Sequence, residues 1–414
     1  MKSFVTLSLL IALMLPVSPA SAKGVGDDTI YIGQLKAIVA YIQETLLPQQ
    51  HTALTHDELR EIISGGVTWF ENAQEEGGHF KYEYAPYDNE YLEDDNIVRQ
   101  AGGLYMLGEV ARRDASHTLN IQQTAEQAIA YFESLSRTDE YNGREFQCIV
   151  INKVSSTCKL GATSLALAGI LGYVEAHPEK REQYDELIEN YTTYILAMKK
   201  EDEGFRNQYR VGESSQKEKE SSFSNGESLM ALARYYQYNP REDVREVIDA
   251  TFQYLKDQPY DAPLYLWIMA ALKDMHELWE SEEYITYAKA YTDWRVAHVS
   301  RFKHTNRNYC AYSEGIASAY SLLEDHLEEE ARLTLRSELA YWNSKNAKLQ
   351  LTADSLYKIL PMDNVPTMQY LKKPSYAVGG FLTAHDEVTE RIDFTQHCVT
   401  TYIQTLVDIE GEVL

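Results

Sequence analysis

Along the chain, stretches with apolar residues on one helical face alternate with stretches that are apolar or small nearly all round. The first kind opens at 57–74, where Leu59, Ile62, Ile63, Trp69, Phe70 and Ala73 share a face behind the capping-box sequence Thr55-His56-Asp57-Glu58. It recurs with Tyr184, Leu187, Ile188, Tyr191, Ile195 and Met198, and again with Val244, Val247, Ile248 and Leu255. The second kind includes Ala101-Gly102-Gly103-Leu104-Tyr105, Thr163 to Val174 and Leu264 to Leu272. A helix without a wet side must be enclosed by other helices. In order, the pairs fall near 57–74 and 96–112, 119–136 and 162–176, 181–199 and 224–237. They continue near 242–256 and 262–278, 282–299 and 312–325, and 328–345 and 392–408, with one further helix near 29–47 at the start. The pattern predicts an all-α fold, an (α/α)6 toroid of six helical hairpins with short β-hairpin insertions on one rim.

The links between these stretches differ systematically. From an enclosed helix to the next amphipathic one they are short, as at His177 to Lys180 and Tyr238 to Arg241. In the other direction they are mostly long: 75–95, 137–161, 200–223, 300–311 and 346–391. Alternate connections of a toroid lie on opposite rims, so the long loops gather on one rim, where binding and catalysis usually reside. The enclosed helices all start at that rim, and their N-terminal amides favour an anionic group there. No linker rich in Pro, Gly or Ser breaks the series, so 23–414 reads as a single toroid domain.

Residues 1–22 read as a secretory signal peptide: Lys2, an apolar run from Phe4 to Leu15, and the cleavage sequence Ala20-Ser21-Ala22. The expectation is a periplasmic or secreted protein with no membrane insertion after signal cleavage, since no later stretch is long and apolar enough to span a bilayer. Four cysteines allow three pairings. The simplest places Cys148 with Cys158 across a short hairpin suggested by Ile149, Ile151 and Val154, leaving Cys310 with Cys398. Metal binding by these cysteines is not expected, because no C-x-x-C or closely spaced His-Cys set exists. A net charge of −25 argues against nucleic acid and anionic lipid surfaces as partners. The 31 tyrosines suit either a half-wet groove or a tyrosine-rich core.

The starts of the enclosed helices are polar: Glu93-Asp94-Asp95-Asn96, Ser224-Asn225-Gly226-Glu227, Tyr312-Ser313-Glu314-Gly315 and Arg391-Ile392-Asp393. Asp95, Asn225, Ser313 and Asp393 are good N-cap types, so capping is their ordinary reading. Glu227 and Glu314 lie inside their helices, where a carboxylate needs compensation. Facing carboxyl groups, one protonated and one ionised, are what cleavage of a sugar linkage requires. Glu227 and Glu314 are therefore the candidate catalytic pair, with Asp95 and Asp393 in reserve and His397 as an acid/base. Arg99 and Arg391 either orient an acidic sugar or neutralise Asp95 and Asp393. Trp267, Tyr265, Tyr312 and the run His79 to Tyr84, with Tyr82, would line the mouth as flat faces for pyranose rings or as ordinary packing.

No G-x-S-x-G elbow, phosphate loop, H-E-x-x-H or dinucleotide fingerprint occurs, and no cofactor or metal is called for. Gly-Phe turns recur at Gly77-Gly78-His79-Phe80, Gly204-Phe205 and Gly379-Gly380-Phe381. The stretches EDDNIVRQAGGLYMLGEVAR (93–112) and GGFLTAHDEVTERIDFTQHCVTTYI (379–403) resemble those of secreted bacterial α/α-toroid proteins, similar to six-hairpin glycosidases and glucuronyl C5-epimerase-like proteins. That resemblance implies action on polysaccharides as a glycoside hydrolase, lyase or uronate epimerase. The ring also resembles terpenoid cyclases and protein prenyltransferases, but D-x-D-D and D-D-x-x-D are absent. The expected partner is a poly- or oligosaccharide, uronate-containing ones included. The alternatives are a toroid of the cell envelope that binds a glycan or protein without turnover, and a lipid binder with an apolar central cavity.

Overall fold

The computed structural model describes residues 53–414 except 142, 202–203, 214–215, 305, 353–356, 363–364 and 386. The signal segment and the helix expected near 29–47 lie outside the described residues. Residues 51–360 with 367–414 form the compact unit that carries the site.

Twelve helices build the ring. Six are amphipathic: α1 (His56–Ala73), α3 (Gln122–Ser134), α5 (Arg181–Ala197), α7 (Glu242–Lys256), α9 (Glu282–Ala297) and α11 (Glu329–Ala347). Six alternate with them: α2 (Ile97–Arg113), α4 (Leu160–Ala176), α6 (Ser222–Tyr238), α8 (Ala262–Trp279), α10 (Cys310–Leu323) and α12 (Ile392–Ile403). Each even-numbered helix packs on the next, and α12 packs on α2, so the inner set closes on itself. The odd-numbered helices lie outside, each against inner neighbours. This is the expected α/α toroid, because the inner helices have no polar face to offer water. Small residues bring inner backbones close. A Cβ on Gly108 would lie 2.4 Å from the carbonyl oxygen of Gly169.

Strands sit in the long loops. β1 (Glu83–Ala85) pairs with β2 (Glu90–Tyr91) and with β7 (Glu390–Arg391), joining the first long loop to the last. β3 (Ser136–Tyr141) pairs with β4 (Arg144–Ile149), and β5 (Thr157–Lys159) with β6 (Gln208–Arg210). The expected hairpin around Cys148 therefore begins earlier than its alternating residues suggested, with Arg137 opposite Cys148. The bridge Val150–Cys158 then turns the chain back, and Cys148 is disulfide-bonded to Cys158 and Cys310 to Cys398.

One device repeats where four of the six loops meet the next inner helix. The backbone N–H of Phe80 donates to Gln100 (3.0 Å), that of Ile149 to Thr163 (3.1 Å), that of Phe205 to Asn225 (2.8 Å) and that of Phe381 to Thr395 (3.1 Å). Each acceptor is the fourth residue of its inner helix. Three of the donors also bridge back to the end of the preceding outer helix, at Gln74, Lys199 and Gln350. The Gly-Phe turns are thus staples, and two of their glycines are obligatory. Gly78 and Gly379 have φ of +83° and +99°, and a Cβ at either would lie 2.0 Å from a backbone oxygen.

The barrel is closed below by ions. Glu109 accepts from Arg113 (2.8 Å) and Arg234 (2.7 Å), Arg234 also holds Asp274 (2.9 Å), and Arg113 holds Asp408 (2.6 Å). Lys273 adds a further contact to Asp408 at 3.3 Å. Burial would raise the Glu109 carboxyl, but Arg112, Arg234 and Arg113 outweigh it and hold the group well below the usual range. These cations occupy the C-terminal halves of inner helices, where the dipoles favour them.

Candidate active site

At the opposite end, where all inner helices start, a cavity of about 830 Å³ opens. Its lining includes Asp95, Arg99, Glu227, Tyr265, Trp267, Tyr312, Asp393 and His397, which come from five inner helices and the loop before α2. Of the residues expected to converge at one mouth, these eight line the cavity. Glu314, Arg391 and Tyr82 do not line the cavity but stand directly behind residues that do.

Glu227 lies two turns into α6 and is 3% exposed. Its Oε2 is buried with no hydrogen-bond partner among the described residues. Space for it exists because position 161 is glycine: a Cβ there would fall 2.2 Å from Oε2. Burial alone raises the Glu227 carboxyl to about 8, so it keeps its proton at neutral pH. The result is a neutral acid on a cavity wall.

Glu314 on α10 is fully buried, and its Oε2 meets Nδ1 of His397 on α12 at 2.7 Å. Its other oxygen lies 3.4 Å from the Tyr105 hydroxyl, which donates to it. Burial raises the Glu314 carboxyl, and His397 offsets part of that rise. A carboxylate behind an imidazole fixes the ring orientation. Glu314 thus faces His397 rather than the cavity. The disulfide Cys310–Cys398 ties the same two helices, next to His397 and one turn before Glu314.

The remaining acids are committed. Arg391 donates to both oxygens of Asp393 (2.6 and 3.0 Å), and Arg99 adds a third contact at 3.1 Å. Arg99 also donates to the hydroxyl of Tyr82. Neutralisation, one of the two expected roles for these arginines, holds for Asp393. It does not hold for Asp95, which meets His79 (3.2 Å) and Gln100 (2.9 Å) instead. Burial would raise Asp95, but His79 and Gln100 outweigh it and lower the carboxyl.

The capping reading fails at all four positions. Asn96, not Asp95, caps α2 by accepting from Val98 and Arg99. Asn225, Ser313 and Asp393 lie inside helices that begin earlier, at Ser222, Cys310 and Ile392. Of the aromatic residues, Tyr265, Trp267 and Tyr312 line the cavity, whereas the run His79 to Tyr84 does not. Trp267 stands 6.0 Å from the His397 ring and 5.5 Å from Tyr105, centroid to centroid.

Sequence reasoning missed several lining residues, among them Lys159, Phe223, Arg295 and Tyr309. Phe223 is 52% exposed at the mouth, a large apolar face left open to solvent. Arg295 carried a readable sign. It continues the inward face Tyr284, Ala288, Tyr291 of α9, so a charge falls where an apolar residue is due.

No family model matches the chain, and no curated protein does. Solved structures match it in fold. An α-mannanase of glycoside hydrolase family 76 from Bacteroides thetaiotaomicron is 8% identical, with TM-score 0.59 over 86% of this chain and 97% of that one. An unsaturated glucuronyl hydrolase specific for heparin is 10% identical, with TM-score 0.60 over 87% and 100%. A sugar epimerase from a ruminal bacterium is 11% identical, with TM-score 0.58 over 86% and 99%. The chain has the α/α-toroid fold that these six-hairpin proteins share.

Proposed function

We propose that the protein is a carbohydrate-active enzyme that binds an oligo- or polysaccharide at the mouth of the inner ring and acts on it by acid/base chemistry. The observation that carries this reading is the pairing, around one cavity, of a protonated unpartnered carboxyl, Glu227, with an imidazole backed by a buried carboxyl, His397 with Glu314. Glu227 would donate a proton to a leaving sugar oxygen. His397 would remove one, from water in hydrolysis or from a sugar carbon in elimination or epimerisation. Asp393, ion-paired with Arg99 and Arg391, would stand beside the developing cation, and Trp267 would pack against the sugar ring. The named neighbours, a mannanase, a glucuronyl hydrolase and a sugar epimerase, act on sugars, which supports the substrate class.

Export supports the same reading. Residues 1–22 have the form of a secretory signal, two disulfides suit an oxidising compartment, and no described helix is long and apolar enough to cross a membrane. The test is turnover of glycans by the full mature chain and by Glu227→Gln, Glu314→Gln and His397→Asn. Each variant is expected to lose at least about a hundredfold in kcat, the scale of general acid/base assistance. Unchanged turnover in Glu227→Gln and Glu314→Gln removes the assignment. A binding-only toroid is the second reading, favoured by the fact that Asp95, Asp393 and Glu314 already have protein partners. Glycan binding with no product from the wild-type chain would establish it.

A further inference from the structure

Charge in the cavity is balanced differently from charge on the whole chain. The chain carries a net −25. Among the lining residues, Asp95 and Asp393 are matched by His79 and by Arg99 with Arg391, and Glu227 is neutral. Two lining cations remain, Arg295 and Lys159, and neither forms an ion pair with a carboxylate among the described residues. Arg295 is the more telling. It is 7% exposed, its Nε has no hydrogen-bond partner among the described residues, and its Nη2 donates to the Tyr309 hydroxyl at 2.6 Å. The guanidinium lies 4.6 Å over the ring of Tyr312 and 6.0 Å from that of Tyr265. The nearby acid Glu338 is already occupied by Tyr312, Trp342 and Arg301. A guanidinium so enclosed and left without an anion is costly, and a carboxylate or sulfate bound in the cavity that Arg295 lines would balance its charge. The six helix N-termini around the mouth favour the same charge.

We infer that the cavity takes an acidic sugar, with Arg295 as the residue that anchors its anionic group and the Tyr265–Tyr309–Tyr312 wall holding the guanidinium in place. This rests on the carbohydrate reading and narrows it to a substrate class. Binding to the full mature Glu227→Gln chain, which holds substrate without turnover, is measured by calorimetry against uronate tetrasaccharides and their methyl esters. A sulfated, uronate-free carrageenan tetrasaccharide and neutral α-1,6-mannotetrose complete the panel. At least one anionic tetrasaccharide is expected to bind at least about tenfold more tightly than its uncharged counterpart, as a charged hydrogen bond warrants. Adding Arg295→Gln should abolish that preference while leaving neutral glycans unaffected, and Arg295→Lys should restore part of it. Tighter binding of the uronate or of the sulfate arm identifies the anion. Binding confined to neutral glycans, or an acidic preference that survives Arg295→Gln, overturns the anchor and leaves the carbohydrate reading standing. Failure of every glycan to bind overturns both. If the Arg295 variants do not fold, the comparison of each uronate with its methyl ester on the Arg295-containing chain still decides the substrate class.

Discussion

Glu227 keeps its proton because burial removes water and supplies no donor in exchange. The sign of the consequence follows from linkage. The unfolded chain releases this proton near the ordinary carboxyl value and the folded chain only near 8, so stability declines between those values as pH rises. Glu227→Gln is therefore expected to exceed the wild type in unfolding free energy at pH 8, by on the order of a few kcal/mol, with no difference at pH 4. Activity should fall as pH passes upward through about 8, because the acid form is lost. Gly161→Ala tests the same group by shape. The added Cβ meets the end of the Glu227 side chain, which can swing away, so melting should change little while kcat drops by about tenfold or more. The position of Glu227 was legible as a carboxyl inside an enclosed helix. Its protonation was not, since that depends on a glycine from another helix. Asn225, Ser313 and Asp393 were misread as caps because their helices start one to three residues before them, and Asp95 because its helix starts one residue later, at an Asn96 cap.

Those early starts belong to the elements. Four of the six loops are stapled to the fourth residue of an inner helix, and each of those helices begins far enough upstream to carry the acceptor. This explains polar residues such as Gln100, Thr163, Asn225 and Thr395 at helix starts without giving them any part in chemistry. Asn225→Ala leaves the Phe205 N–H buried without an acceptor and should cost about 1–3 kcal/mol by denaturant unfolding. It should also raise proteolytic cleavage in 200–221 before elsewhere. Alternating amphipathic and enclosed stretches located all twelve ring helices, because a 3.6-residue period over several turns is a strong signal. The β3–β4 register was not legible, since short exposed strands such as Arg144–Ile149 take their pairing from a turn whose residues carry little apolar pattern.

Across the whole molecule, closure of the ring and the location of the mouth were legible from the one-sided loop lengths, whereas the ion network was not. Glu109, Arg234 and Asp274 sit in stretches that read as apolar, and only the assembled barrel brings them together. Arg234→Met should cost about 3–5 kcal/mol, because it strands the Asp274 charge in the core and leaves Glu109 with Arg112 and Arg113 alone. Reduction of Cys310–Cys398, which closes 88 residues, should lower stability by about 2–5 kcal/mol. It should also depress turnover at temperatures where the chain is still folded, because the same bond fixes the helices of His397 and Glu314.

The ion network also governs traffic. With its far end sealed by paired charges, the ring is a cul-de-sac rather than a tunnel, and a long polymer cannot be threaded through it. Whatever enters must back out by the same doorway, so under the proposed function a released fragment competes with the next chain for one entrance, and reaction progress curves should bend early under product accumulation.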